Sequence, residues 1–263
     1  MDPVKIGKIK KAVRDHFDES PDNYQSFEDK YSFFRDLNEE LVSRMNIPEQ
    51  ANILDVGCGT GASCRQIVRA VPGCKVWGLD ISSAMIEKAR KHSSESDRVI
   101  YVEGDAAKLA DYFNLSFDAI IYSASIFLVP DYQESLRQAR DLLRNRGTVG
   151  LTFMEGLYDE QGNNAVAQAA QDSDLGVSLK QPVKIDEFRS FFVKVFPNNE
   201  SWSKDLRLPR ELLKDFYSVP AMSAGLFPKM EYSIRVQKVE RLFRLLSGSR
   251  IVFRWRLMIG TPE

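Results

Sequence analysis

From Ala51 to about Met154 the chain alternates between short apolar runs and amphipathic stretches. The runs are Asn52–Val56, Lys75–Leu79, Val99–Val102, Phe117–Tyr122 and Thr148–Phe153. Between them, Ala62–Val71, Ser82–His92, Ala106–Tyr112 and Tyr132–Leu143 carry apolar residues at helical spacing. Strand and helix alternating in this way predict right-handed crossovers and a sheet covered on both faces. The expected fold is α/β, a doubly wound and mostly parallel sheet formed by residues 51–154. Upstream, Val4, Ile9, Val13 and Phe17 fit a helical face loosely, and Phe33, Leu37, Leu41, Val42 and Met45 fit one well. The stretch Ser20-Pro21-Asp22-Asn23 between them reads as a turn. Residues 1–50 are therefore expected to form an N-terminal helical lid.

Beyond Met154 the alternation stops. Loop signals at 159–164 and 197–201 separate short helical segments rich in Phe188, Phe191, Phe192, Phe196, Trp202, Phe216 and Tyr217. Residues 155–230 are expected to be a helical cap inserted after the fifth strand, over the acceptor side of any cleft. An amphipathic helix over Glu231–Leu246 and an alternating strand over Arg250–Ile259 would complete the core in residues 231–263. No partner for that last strand is evident in the sequence.

Composition narrows the function classes. An apolar share of 43% supports a packed core, and 36 Lys+Arg against 37 Asp+Glu leave a net charge of −1. Nothing global draws the chain to nucleic acid or membrane. The charge is nonetheless uneven: residues 204–263 hold 12 Lys+Arg and 6 Asp+Glu, and residues 1–14 hold 5 Lys+Arg and one Asp. Arg235, Lys238, Arg241 and Arg244 recur at steps of three on the last helix, as a solvated face or an acidic-partner surface would require. Cys58, Cys64 and Cys74 provide neither a disulfide framework nor a paired zinc motif, and read as small buried hydrophobes. With two histidines 76 positions apart, no metal site is expected. No signal-like or membrane-spanning apolar run is present, so the expected location is cytoplasmic.

The most specific segment is Ile53-Leu54-Asp55-Val56-Gly57-Cys58-Gly59-Thr60-Gly61-Ala62, a strand entering a glycine-rich turn that opens a helix. Glycines there permit positive φ and close approach of a ligand to the backbone. The next strand ends at Asp80, 23 positions after Gly57, where a carboxylate can take the two hydroxyls of a ribose. A dinucleotide site wants GxGxxG, but here the third glycine comes one position early, and Asp55 would repel a diphosphate. A cofactor with a sulfonium and an ammonium and no phosphate, S-adenosylmethionine, fits these residues better.

With that motif the chain resembles the class I S-adenosylmethionine-dependent methyltransferases. It is most similar to their small-molecule branch, typified by quinone- and biotin-pathway enzymes, over residues 17–153. The resemblance implies that Gly57, Cys58, Gly59 and Gly61 receive the methionine part, with Asp55 near its ammonium. It implies Asp80 on the ribose and Ile81 on the adenine. Within Glu103-Gly104-Asp105-Ala106, it implies Asp105 at the adenine amino group and the Ala106 amide at a ring nitrogen. Asp105 could also serve as a helix N-cap, since Asp is favoured there. Tyr122 and Ser123 would line the methionine end, and Phe17-Asp18…Asn23-Tyr24 is similar to an element whose tyrosine closes over the cofactor. Where the family usually turns on Pro-Gly-Gly, this chain has Asn145-Arg146-Gly147.

The implied reaction is in-line methyl transfer to a small, partly apolar or aromatic acceptor. Four groups are candidates for removing an acceptor proton: His16 in the lid, and Glu155, Tyr158 and Asp159 in the insertion. His92, late on its helix, reads as a surface residue. Methylation of RNA or protein is the alternative enzyme reading. Ser123-Ala124-Ser125 lacks the Pro-Pro-aromatic run that clamps a planar amide, which weighs against it. A non-catalytic cofactor-binding protein is the third reading. Oligomeric state is not encoded in any motif.

Overall fold

A computed structural model describes residues 1–93, 98–171, 173–178, 182–246 and 251–262. The chain opens with three helices, α1 (Pro3–Asp18), α2 (Pro21–Tyr31) and α3 (Phe33–Arg44). Ser20-Pro21-Asp22-Asn23 is not a free turn but the start of α2, because proline is well tolerated in a first helical turn. Ser32, at φ 52°, separates α2 from α3. The buried Glu28 carboxylate accepts the Phe34 and Arg35 N–H groups at 3.0 Å each, satisfying donors that the first turn of α3 leaves open.

Next come β1 (Asn52–Val56), α4 (Ala62–Ala70), β2 (Lys75–Asp80), α5 (Ser83–Lys91) and β3 (Val99–Glu103). A 3-10 turn at Ala106–Lys108 leads into α6 (Leu109–Tyr112), β4 (Phe117–Tyr122), α7 (Tyr132–Leu142) and β5 (Leu143–Tyr158). After β5 follow α8 (Ala165–Gln171), α9 (Ile185–Val195), β6 (Asn198–Leu208), α10 (Arg210–Ser218), α11 (Pro220–Leu226), α12 (Tyr232–Leu245) and β7 (Ile251–Thr261). The seven strands lie in the order β3-β2-β1-β4-β5-β7-β6, with β1–β5 parallel and β7 antiparallel to both its neighbours. From β1 the chain winds outward to β3 and then returns to β4, so the carboxyl ends of β1 and β4 flank a switch-point crevice. Ile53, Leu54, Val56 and residues 119–122 are fully buried, as the sequence pattern demands of central strands.

Three expectations are corrected. First, the last strand has a partner. β6 pairs with it from Asn198↔Thr261 to Leu208↔Ile251, in a stretch read from sequence as loop and helix. As an edge strand, β6 half-buries mainly one side, Trp202, Lys204, Leu206 and Leu208, and leaves most of its polar residues exposed. Its apolar signal is correspondingly thin. Second, β5 runs on to Tyr158, because β7 supplies hydrogen-bonding partners past a bulge between Met154 and Gly156. Third, the Phe188–Phe196 stripe does not cap a cleft; it lies against the sheet. Phe188 meets Phe153 and Tyr132 at 5.2 Å between centroids, and a Cβ at Gly260 would fall 2.6 Å from that of Phe196. Arg250, at the start of the expected final strand, lies outside the described residues.

The crevice is covered instead by α1, α2, α10 and α11. Phe216 of α10 packs on Phe27, Phe34 and Phe253, joining the N-terminal helices to the late ones. Ser20 Oγ accepts the Ala221 N–H, and Asp215 accepts from both Lys30 and Tyr31. The cover is thus assembled from segments separated by more than a hundred residues.

Candidate cofactor and acceptor site

The loop after β1 carries Gly57, Gly59 and Gly61 at φ 79°, 54° and 79°. At Gly57 a Cβ would lie 2.4 Å from that of Ser125, and at Gly61 one would lie 2.3 Å from the Tyr101 hydroxyl. A Cβ at Gly59 would meet nothing nearer than the Tyr24 ring at 3.7 Å. Gly57 and Gly61 are therefore required by the fold, whereas Gly59 keeps backbone open toward the crevice.

Two buried carboxylates stand behind this loop. Asp80, at the end of β2, accepts the Gly59 and Ser82 N–H groups at 2.8 and 2.9 Å, and burial raises its pKa to about 6. Asp55 accepts from the Ser63 hydroxyl and the Cys64 thiol, and burial raises it to about 6 as well. Its second oxygen has no hydrogen-bond partner among the described residues. Buried anions with unused acceptor capacity fit a cationic ligand and disfavour a diphosphate. The donor set and the open Gly59 backbone therefore match S-adenosylmethionine.

A cleft of ≈ 860 Å³ opens over the loop. Of the residues expected from sequence, Tyr24, Gly57, Gly59, Asp80, Ile81 and Ser123 line it, as do Gly104, Asp105 and Ala106. Asp55, Cys58, Gly61 and Tyr122 do not. Asp55, Cys58 and Cys64 are buried behind the loop, and burial holds both thiols above their usual range. Tyr122 spends its hydroxyl on Ser135 at 2.8 Å. Tyr24 stacks on Phe34 at 5.0 Å and closes over Gly59, its phenol kept neutral by burial and by Glu28 and Asp80. Asp18, from the element that resembled the family's lid, accepts the Ser82 hydroxyl at 2.6 Å.

Asp105 is the N-cap of the following turn and also lines the cleft. One oxygen accepts the Ala107 N–H at 2.9 Å. Its other oxygen takes the Lys10 ammonium at 2.7 Å, and Lys10 also reaches Asp131 at 2.5 Å. Lys10 was not legible as a site residue, since nothing in a lysine-rich helix distinguishes it. Phe127, Leu128 and Trp255, at the apolar end of the cleft, were likewise missed, whereas Phe216 and Met222, which join them there, fall within residues 155–230 expected over the acceptor side. All five come from four separate segments.

None of the four candidate bases lines this cleft. His16 faces away on α1 beside Arg235, Glu19 and Tyr232, and its pKa is lowered by burial and by Arg235. Glu155 is paired with Arg256 at 2.7 Å and lines a neighbouring cavity. Arg254 lies over the Tyr158 ring at 4.8 Å, and Asp159 is spent on the Gln161 and Asn163 backbone. His92 is exposed. All three cysteines are free and buried. Among the described residues no cluster of His, Cys, Asp or Glu could hold a metal, and no helix is long and apolar enough to cross a membrane.

Residues 53–147 match a methyltransferase-domain family model. The matched segment begins at β1, contains the glycine loop and both carboxylates, and ends within β5. That segment is similar to methyltransferase domains, and its strand order and glycine loop resemble those of the class I S-adenosylmethionine-dependent methyltransferases. Aklanonic acid methyltransferase DauC of Streptomyces sp. (strain C5) is 32% identical over 146 residues, covering 54% of this chain and 65% of that protein. Demethylmenaquinone methyltransferase of Thermotoga maritima is also 32% identical over 146 residues, covering 54% and 61%. The chain thus spans a little under two thirds of the length of these relatives. Phosphoethanolamine N-methyltransferase 2 of Haemonchus contortus, solved with phosphomonomethylethanolamine and S-adenosylhomocysteine, is similar in fold. Its TM-score is 0.55 at 18% identity, covering 87% of this chain and 53% of that one.

Proposed function

We propose that this protein transfers a methyl group from S-adenosylmethionine to a small organic acceptor with substantial apolar or aromatic surface. The observation that carries this reading is the continuity of one cleft. Its polar end is the Gly59 backbone, Asp80 and Asp105, and its other end is Phe127, Leu128, Phe216, Met222 and Trp255. Pockets that are mostly apolar with a few placed polar groups suit small ligands. Both relatives are named for small organic molecules, aklanonic acid and demethylmenaquinone, which supports such an acceptor over RNA or protein.

When bound, the cofactor supplies a methyl carbon already activated by its sulfonium. The chain's own residues do the rest. The Gly57–Gly61 loop receives the methionine part, Asp80 accepts from the ribose hydroxyls, and Ile81 packs on the adenine. Asp105 and the Ala106 N–H meet the adenine edge. Asp55, behind the loop, favours positive charge through its field rather than by contact. Residues 1–50 together with α10 and α11 exclude water and hold the acceptor in line. Such positioning can lower the barrier by roughly 7–11 kcal/mol. Because no candidate base lines the cleft, the acceptor atom enters already nucleophilic, as an ionised oxygen, a stabilised carbanion or a neutral amine. The three free thiols agree with a reducing, cytoplasmic setting.

The test is to incubate the purified protein with methyl-labelled cofactor and cell extract, then identify the labelled product by mass. Label in extractable small molecules is expected. Label confined to protein or RNA would replace this reading with the macromolecular one. Calorimetry provides the prior check: S-adenosylhomocysteine should bind and NADH should not.

A further inference from the structure

Next to the cleft lies a second cavity of ≈ 930 Å³, beneath α11 and beside α8. It shares Phe127, Leu128 and Met222 with the first, so the two chambers adjoin at the apolar end of the cofactor cleft. Its walls include Leu157, Val166 and Leu226, and Glu155 brings a carboxylate into this apolar lining.

The position of Glu155 has a structural cause. In the pairing of β5 with β7, Met154 faces Trp255 and Gly156 faces Arg254, which leaves Glu155 as the extra residue of the bulge. Gly156, at φ 138°, absorbs the irregularity. Bulges re-aim a side chain and recur beside functional sites. Here the displaced residue is an acidic one with an 11% exposed side chain, bonded through one oxygen to Arg256 Nε at 2.7 Å. Arg256 compensates the charge, and the second carboxylate oxygen retains acceptor capacity.

We propose that this cavity is a distal subsite for the acceptor, in which Glu155 accepts a hydrogen bond from an uncharged hydroxyl carried on an otherwise apolar molecule. The inference rests on the methyl-transfer reading above. The charge balance selects the ligand class. A second anion would meet the Glu155 carboxylate, and an ammonium would be placed beside the Arg256 guanidinium. A neutral hydroxyl donates to the free oxygen and disturbs neither. A site that hydrogen-bonds a substrate hydroxyl discriminates strongly against the analogue lacking it, because its buried polar group is then left unpaired. Glu155 therefore sets specificity and does not take the acceptor's proton.

The experiment measures binding of four probes to the full chain saturated with S-adenosylhomocysteine: 1-naphthol, naphthalene, 1-naphthoate and 1-naphthylmethylammonium. We expect 1-naphthol to bind at least about tenfold more tightly than the other three, in keeping with a hydrogen bond to a charged acceptor. In Glu155→Gln the preference over 1-naphthoate should fall below about threefold, with S-adenosylhomocysteine affinity unchanged as proof of folding. Val166→Phe, which fills the cavity from α8, should weaken 1-naphthol binding and leave the cofactor site intact. Equal binding of 1-naphthol and naphthalene, no binding of 1-naphthol, or selectivity that survives both substitutions would overturn the subsite while the cofactor reading stood. Failure of S-adenosylhomocysteine to bind the unsubstituted chain would remove both.

Discussion

Gly57 and Gly59 sit two residues apart with positive φ, yet their surroundings assign them different work. At Gly57 an added methyl group would lie 2.4 Å from the Ser125 Cβ, whose hydroxyl is itself bonded to the Val56 carbonyl. Gly57→Ala should therefore destabilise the fold by about 2 kcal/mol or more, combining left-handed backbone cost with a clash between the loops that follow β1 and β4. At Gly59 the same change meets only the Tyr24 ring, at an ordinary contact distance of 3.7 Å, so the cost should stay near 1–2 kcal/mol, from the backbone alone. Its effect should fall on the cofactor, which must approach that backbone. Thermal denaturation and S-adenosylhomocysteine calorimetry on the two variants separate these roles. Gly57→Ala should show the larger loss of melting temperature, and Gly59→Ala should lose binding while still melting cooperatively. The motif was legible at this scale because its spacing is local. Which glycine serves the fold and which the ligand depended on Ser125, Tyr101 and Tyr24, residues far away in sequence.

At the scale of elements, the cover over the cleft is held at several joints. The most consequential is Lys10 of α1, bound to Asp105 and Asp131 at side-chain exposures of 17%, 19% and 20%. Desolvation alone would lower the Lys10 pKa, but the two carboxylates outweigh it and raise it, so the ammonium stays charged. Lys10→Met should cost about 1–3 kcal/mol, since it strands two partly buried carboxylates, one of them with an oxygen that already lacks a partner. It should also loosen α1, seen as faster release of S-adenosylhomocysteine in stopped-flow measurements. Unchanged release with unchanged stability would show that the joint is ornamental to lid closure. Helix α9 teaches the complementary lesson. Its phenylalanines were read as a cap because an aromatic stripe declares that something is covered without saying what. The register of Phe153 and Gly260 places that something on the sheet, one layer away from the cleft. β6 went unseen for the converse reason, since an edge strand that half-buries one side shows little of the apolar signal by which strands are recognised.

For the whole molecule, the two buried carboxylates connect the site to stability. Burial pushes the Asp55 and Asp80 carboxyls up to about 6 in the folded chain, against the ordinary 3.8 of an exposed aspartate. Between these values the folded chain holds protons that the unfolded chain has released, so these groups make the cofactor-free protein more stable as pH falls from about 7 toward 4. Above about 6 both are ionised and the full cost of their burial is present. The melting temperature of the cofactor-free protein should therefore be higher at pH 5.5 than at pH 7.5, and Asp55→Asn should flatten that difference. Affinity for the cationic cofactor should run the other way, weakening as pH drops through about 6 because the carboxylates that favour positive charge become neutral. Calorimetry at the two pH values checks the sign.

The sequence by itself determined the strand–helix alternation, the parallel core, the glycine loop and the acidic strand end. Each is written in residues a few positions apart, where hydrophobic period, glycine spacing and strand length act locally. The tertiary structure alone decided what closes the sheet, which aromatic helix lies over it, how Lys10 meets Asp105, and that Glu155 is turned out of β5 by a bulge. Those outcomes depend on packing and strand register between segments separated by a hundred residues and more. No local pattern encodes a contact whose energy exists only once both partners have been brought together.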